Sequence, residues 1–204
     1  MYQPKKYQKT DKAYFLDFIK QHPFATFVTQ DTRLVATHLP FLLKGKADNF
    51  KLFSHMANHN EQFRSLKDGT EALVIFQGAH SYVSSSWYRE KNISTWDYSA
   101  VHVNVRIRLQ TKAELEYCLE ELVAHFEKEQ AAPLFYKNIP KDMLREHLPQ
   151  ITGFWCEPTH MEGIAKLHQG YEKEDVDSVV RHLRETGDPL AEKLSEEIQK
   201  EHGI

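Results

Sequence analysis

Cysteine is scarce in this sequence, and long apolar runs and an apolar leader are missing. The 204 residues include two cysteines, Cys118 and Cys156, which are too far apart to form a CxxC motif. Such isolated cysteines predict buried, reduced thiols in a cytoplasmic protein. The segment Met1 to Tyr7 contains no apolar stretch typical of a signal peptide. No window approaches the roughly 18 apolar residues of a membrane span, so we expect no contact with a membrane.

A basic excess and the common nucleotide-binding loops are missing too. The formal net charge is −3 with histidine neutral, which does not favour broad binding to nucleic-acid phosphates. Neither GxGxxG nor GxxxxGK[ST] occurs, which argues against dinucleotide folds and P-loops. The serine run 84–86 lacks the glycines of a nucleophile elbow, so we predict no catalytic residue. The C-terminal helical pair joined at Gly187 and Asp188 has a second helix too acidic for a good recognition helix.

Hydrophobic periodicity predicts short strands, with helices placed mostly after them. The predicted strands are 24–29, 34–43, 50–56, 71–77, 80–86, 98–109, 151–156 and 161–167. One predicted helix begins at Thr10-Asp11 and ends at His22-Pro23. Four others span 112–130, 141–147, 174–186 and 189–201. Turns are expected at 31–32 and 45–48, and a charged loop at 89–94. This order predicts an α+β protein with a mainly β core, built as a closed or split antiparallel barrel because closure removes exposed edges.

Residues 76–103 combine aromatic, imidazole and hydroxyl side chains at high density. They include two Trp, three Tyr, two His and a run of serines. Aromatic faces supply contact area and polar groups fix orientation, so this mixture is typical of a site that stacks a flat ring. The aromatics beside the loop 89–94 fit a pocket mouth or a subunit interface, with ordinary core packing as the alternative. The candidate residues here are His80, Tyr82, Ser84, Trp87, Tyr88, Trp96, Tyr98 and His102.

A second candidate is the segment 52–60, which leads from a strand into a predicted short helix. Free backbone N–H groups at a helix N-terminus attract anions, and the Ser and His side chains add donors for a phosphate. The alternative is that Asn58 and Glu61 only form a capping box, with the histidines solvated. His55 and His59 also have the i, i+4 spacing of zinc ligands. Since His55 is expected in the strand and no cysteine or carboxylate is well placed, we predict no metal site.

Six motifs follow one another in a specific order along the chain. They are His22-Pro23-Phe24-Ala25, His38-Leu39-Pro40, the segment 76–84, Ser86-Trp87-Tyr88, Thr95-Trp96-Asp97-Tyr98 and Ala100-Val101-His102-Val103. Together they resemble the PaiB family of transcriptional regulators, from about Tyr2 to Leu183. The resemblance implies a split barrel of the FMN-binding type, related to pyridoxamine phosphate oxidase. It places that domain at 1–170 and a C-terminal helical extension at 171–204, packed on the barrel or on a partner subunit.

The resemblance also implies a homodimer that binds FMN, or another phosphorylated ring compound, at its interface. The ring would lie near 82–88 and 96–98. The phosphate would lie near His38, Ser54, His55, His59 and Asn60. The implied function is negative regulation of sporulation and of degradative-enzyme (protease) synthesis, with DNA as a partner through a surface that the sequence does not locate. A flavin-dependent oxidoreductase is one alternative, and a haem- or metal-binding barrel using His55, His59 or His102 is another.

Three positions depart from the family pattern. Asp97 stands where the Trp-x-Tyr motif usually has Asn. His168 and Gly170 stand at the Ser and the Asn of a Lys-Leu-Ser-Gln-Asn pattern, which here is 166–170. In addition, oxidase-type split barrels hold the phosphate with Arg and Lys. The matching strands of this chain offer His instead, whose charge near neutral pH depends on its surroundings.

Overall fold

Strands dominate the first two thirds of the chain, and two helices close it. The computed structural model describes residues 1–46 and 49–204. Its strands are β1 (Gln8–Lys9), β2 (Phe24–Gln30), β3 (Leu34–Pro40), β4 (Leu42–Lys46), β5 (Asn49–Ala57), β6 (Glu71–Val83), β7 (Thr95–Leu109) and β8 (Ile151–Lys166). Its helices are α1 (Lys12–Gln21), α2 (Lys112–Glu127), α3 (Lys141–His147), α4 (Lys173–Glu185) and α5 (Pro189–His202). The predicted α+β class with a C-terminal helical pair is confirmed.

In the described ranges, one antiparallel sheet has the strand order β3-β2-β6-β7-β8-β5-β4, and β1 also pairs with β8. The two ends of this order, β3 and β4, follow each other along the chain and are joined by Phe41 alone. A sheet order that returns to its starting point is the connectivity of a barrel. The Phe41 N–H donates to the Pro23 carbonyl at 2.7 Å, which takes the chain out of β3 at this point. The predicted strand 34–43 is therefore wrong as one strand, because it breaks at Phe41.

In two other places the sequence predicts two consecutive strands where the structure has one long strand. The segment 71–77 and the first part of 80–86 form β6, which passes through Gly78 without a turn and ends at Val83. A Cβ at Gly78 would lie 2.4 Å from the Ser99 hydroxyl oxygen, so glycine serves close approach here. The segments 151–156 and 161–167 form β8, where the Thr159 hydroxyl donates to the Asn104 carbonyl at 3.1 Å.

The predicted short helix after β5 is a 3-10 turn, Glu61–Ser65. The prediction of Asn58 as its cap is wrong, because the Asn60 side chain accepts from the Gln62 N–H. Asn58 instead donates to the Pro149 carbonyl and accepts from the Thr152 hydroxyl, at 3.0 and 2.7 Å. Helix α2 ends three residues before the predicted Gln130. The predicted turn at 45–48 includes Ala47 and Asp48, which lie outside the described residues.

The chain divides into two units, each with its own core. Unit 1 comprises Met1–Phe18, Phe76–His102 and Glu162–Ile204, and unit 2 comprises Ile19–Ile75 and Val103–Met161. In unit 1, α4 and α5 cover one face of the strands, and their valines and leucines pack against Ala79 and Val83 of β6. In unit 2, the rings of Phe27 and Phe154 stack at 5.1 Å in the core. Among the described residues, no helix has the length and apolar character needed to cross a membrane.

Candidate functional site

In unit 1, alternate residues of β6 and β7 form a face that α4 and α5 leave uncovered. Side chains two residues apart on a strand share a face, so His80 and Tyr82 lie together, as do Trp96, Tyr98 and His102. The Trp96 ring lies 6.1 Å from the His80 ring and 6.3 Å from the Tyr82 ring, between ring centroids. Trp96 is 56% exposed and Tyr82 is 46% exposed. We call these five residues the open aromatic face.

Two members of the open aromatic face, His102 and Tyr98, have pKa shifts that favour their neutral forms. Burial lowers the pKa of His102, and the N-terminal ammonium of the chain lowers it further. Burial raises the pKa of Tyr98, with a smaller contribution from Tyr2. Tyr98 packs beside Tyr7, Ala100 and Ile164, which fixes the inner edge of the face. Neutral rings and hydroxyls of this kind suit an uncharged flat ring that needs hydrogen bonds at its edge.

Trp87 and Tyr88 lie on the other side of these strands, against α4. The Trp87 ring is parallel to the His182 ring at 5.1 Å, and the Trp87 carbonyl accepts from the Ser178 hydroxyl at 2.7 Å. Tyr88 is 7% exposed and belongs to the core beneath α4 and α5. Their surroundings therefore match the core-packing alternative. Ser84 accepts from the Ser86 N–H and begins the 3-10 turn Ser85–Trp87 that follows β6.

Beneath α4 lies a buried polar network of Lys166, Asp97, His168 and Tyr88. Asp97 and His168 are each 1% exposed, and one Asp97 carboxylate oxygen contacts Nδ1 of His168. The other oxygen lies 3.3 Å from the Lys166 ammonium. On the far side of the imidazole, Nε2 of His168 lies 2.9 Å from the Tyr88 hydroxyl. Burial, followed by Tyr171 and then Asp97, raises the pKa of Tyr88, so its hydroxyl keeps the proton that it shares with His168.

Sequence reasoning did not single out this network as a unit. It did identify Asp97 and His168 separately as departures from the family pattern, and the structure places the two in direct contact. Two unusual residues in one chain that exchange a hydrogen bond have the form of a compensating pair. The presence of both departures in one chain was the available signal, but only the fold shows that Asp97 and His168 are in contact.

In unit 2, two members of the predicted phosphate set bond to β3. The Ser54 hydroxyl, 2% exposed, donates to the Pro40 carbonyl at 2.8 Å. The Asn60 amide donates to the Thr37 hydroxyl at 3.1 Å, and its oxygen caps the turn Glu61–Ser65. Ser54 and Asn60 therefore already bond within the protein, and the Asn60 cap satisfies the Gln62 N–H of that turn.

The three histidines of the set lie in different surroundings. His38 and His59 are exposed, and the His38 ring stacks on Phe24 at 6.0 Å. His55 is half-buried, and burial lowers its pKa. Because His55 follows Ser54 directly on β5, their side chains point to opposite faces of the sheet. His38 and His59 are thus the members with solvent-facing rings.

The comparisons with known proteins agree with this architecture. A family model described as "Putative FMN-binding domain" matches residues 1–160. The Protease synthase and sporulation protein PAI 2 of Bacillus subtilis is 32% identical over 197 residues, which covers 96% of this chain and 95% of that protein. The FAD and heme binding protein of Mycobacterium smegmatis superposes with a TM-score of 0.58 at 17% identity, over 84% of this chain and 79% of that one. The flavocytochrome Anf3 of Azotobacter vinelandii gives 0.58 at 12% identity, over 83% and 74%.

The two structural matches establish the fold class. The protein has the split β-barrel fold of the FMN-binding type, as predicted. The family model covers most of the chain, and the Bacillus relative is similar along nearly its whole length. The chain therefore belongs to the PaiB family, whose members carry this FMN-binding domain.

Proposed function

We propose that the protein is a homodimeric, cytoplasmic regulator that binds FMN and represses the synthesis of degradative enzymes and sporulation functions. The observation that carries the FMN part is the open aromatic face. The observation that supports the regulatory part is the similarity to PAI 2, whose name associates that protein with protease synthesis and sporulation.

The residues of the open aromatic face fit the ring end of FMN. Trp96 and Tyr82 present exposed aromatic area to a flat ring. His80 offers its Nε2 at the edge of that ring, since its Nδ1 lies 3.3 Å from the Gly78 carbonyl oxygen. The Asp97 carboxylate, which would repel an electron-rich ring, points to the opposite side and is bound by Lys166 and His168. When bound, FMN would supply redox chemistry. The protein's own groups orient the ring and keep charge away from it.

The same face supports the homodimer. A surface rich in exposed aromatic residues is the composition found at the centres of protein interfaces. A second copy placed over it would exclude water from a ring held against Trp96. We expect one FMN per protomer and dissociation of the dimer when Trp96 and Tyr82 are both replaced by Asp.

Titration with FMN and with riboflavin tests both ends of the ligand. Trp96→Ala removes the largest exposed ring and should weaken both ligands about tenfold, since stacking on one aromatic contributes roughly 1–3 kcal/mol. Phe126→Ala is the matched control, because Phe126 is an exposed aromatic of α2 outside the candidate set. His38→Ala and His59→Ala should weaken FMN but not riboflavin if they bind the phosphate. Equal affinity of wild type and Trp96→Ala would refute the ring site.

Selection from a random-sequence DNA duplex library tests repression directly. The experiment is run at about 150 mM salt, where non-specific phosphate binding is weak. An enriched sequence that the dimer retains supports a DNA-binding repressor. No enrichment would refute direct repression. NAD(P)H-dependent bleaching of bound FMN in the same preparation would then favour the flavin-dependent oxidoreductase.

A further inference from the structure

Unit 2 contains a cavity of about 780 Å³ that belongs neither to the open aromatic face nor to the phosphate set. It lies between the first turns of α2, the short helix α3 and the start of β8. A volume of this size falls within the range of small-molecule sites, roughly 300–1,000 Å³.

The floor of this cavity is apolar and incompletely covered. It is formed by Leu115 of α2, Leu144 of α3, Leu148 and Ile151. Leu144 is the most covered residue of α3 and is only partly buried, while the other residues of the helix are exposed. Helix α3 is therefore placed with little apolar contact of its own, and an apolar group in the cavity would add such contact.

The rim of the cavity is cationic. Lys112, Lys141 and Arg145 line it, against the single carboxylate of Glu116. Glu116 lies 3.9 Å from Lys112, so it is engaged at one edge. Within the described part of the chain, Lys141 and Arg145 have no ion pair. Since they are four residues apart on α3, they present their charges on the same side of the helix.

A phenol completes the rim. Tyr136 lines the cavity, and burial raises its pKa, with smaller contributions from Glu116 and Glu120. Its hydroxyl therefore remains a donor. A guanidinium, an ammonium and a protonated phenol are all donors that favour an acceptor with negative charge, and Arg is suited to a bidentate carboxylate.

We infer that this cavity binds a small organic acid, with its carboxylate at Lys141 and Arg145 and its apolar body on the leucine floor. The site is separate from the proposed FMN residues, so the chain would respond to a second, chemically different ligand.

Calorimetric titration of the full-length protein with naphthylacetate tests the inference. Naphthylacetate should bind with a Kd of roughly 10–100 µM, while the uncharged naphthylethanol and the cationic naphthylethylamine should bind at least tenfold more weakly. Arg145→Ala and Lys141→Ala should each weaken naphthylacetate about tenfold, because each removes a hydrogen bond to a charged group. Both residues are exposed, so the variants should fold. Lys67→Ala is the matched control, since Lys67 is an exposed lysine of unit 2 outside the cavity.

Two further readouts locate the ligand. In methyl-labelled protein, naphthylacetate should shift the resonances of Leu144, Leu148 and Ile151, and Arg145→Ala should leave the affinity for FMN unchanged. Absence of saturable binding up to about 1 mM would overturn the inference. Binding that Trp96→Ala abolishes and Arg145→Ala does not affect would also overturn it. So would loss of dimer in Leu144→Asp without any ligand binding, because the cavity would then belong to a subunit interface.

Discussion

Replacing Asp97 by Asn should destabilise the protein more than a substitution that removes the charge of an exposed residue. The substitution keeps the shape of the side chain and removes its charge. It leaves the Lys166 ammonium, 3.3 Å from one oxygen, without its anion, and weakens the bond from His168. Breaking one partner of a buried ion pair costs about 3–5 kcal/mol, and the amide oxygen still accepts a hydrogen bond, so we expect about 3 kcal/mol. For a chain of this length, that lowers Tm by roughly 6–12 °C.

A double-mutant cycle with His168→Ser separates the pair from its surroundings. Residue 168 has a φ of 63°, a left-handed conformation that is strained for Ser, but this strain is present in both serine variants and cancels in the cycle. Because Asn and Ser are the residues that the family pattern has at these positions, the double variant should be more stable than the sum of the single effects predicts. We expect an interaction of about 1–3 kcal/mol.

Urea unfolding followed by tryptophan fluorescence measures each free energy at one protein concentration. Asp177→Asn is the control, since Asp177 forms an exposed pair with Lys173 on α4 and should change stability by less than about 0.5 kcal/mol. If Asp97→Asn changes stability as little as this control, or if the single effects add within about 0.5 kcal/mol, the coupled network is refuted.

Three further predictions concern single groups. Hydrogen bonds from Arg108, and then Thr111, lower the pKa of Glu114 from 4.5 to about 2, so the stability that its charge provides is present above pH 4.5 and is lost toward pH 2. The deficit of Glu114→Gln in urea unfolding should therefore be about 1 kcal/mol at neutral pH and shrink in acid; a deficit independent of pH would contradict this. Burial raises the pKa of Cys118 to about 11, and also raises that of Cys156, so a thiol reagent should modify both only after denaturation. Gly78→Ala should cost about 1–3 kcal/mol by overpacking, measured as a loss in urea midpoint.

Local signals in the sequence were sufficient for the five helices and for the strands 24–29, 50–56 and 98–109, apart from a few residues at their ends. Pro23 ends α1, and α3 spans the residues predicted for it, 141–147. The strict alternation of valines along β7 predicted a strand with one buried face, and Val101, Val103 and Val105 are buried. These elements follow from periodicity and stop signals that lie within a few residues of each other.

The errors came from residues whose roles depend on distant neighbours. Gly78 and Pro158 have the composition of turns, yet both lie inside long strands, because contacts from other strands decide their conformation. Trp87 and Tyr88 have the composition of a binding site, yet α4 packs against both, from nearly a hundred residues further along the chain. The local periodicity of the sequence does not indicate either of these long-range contacts. The cavity beneath α3 was missed for the same reason, since its cations are unremarkable until α2 and β8 are placed beside them.

The alternation of β7 decides which candidates can act on one ligand. Trp96 and Tyr98 face outward. Asp97 and Ser99, which alternate with them, face α4 and α5, where Ser99 donates to Glu197 at 2.8 Å. A ligand on the open aromatic face would therefore meet aromatic rings, while the carboxylate one residue away is directed into the core. The Lys166 ammonium extends this coupling, because it contacts Asp97 and also donates to the Trp96 carbonyl at 2.7 Å. Loss of the buried charge should thus disturb the position of Trp96 through Lys166, without Asp97 touching the ligand.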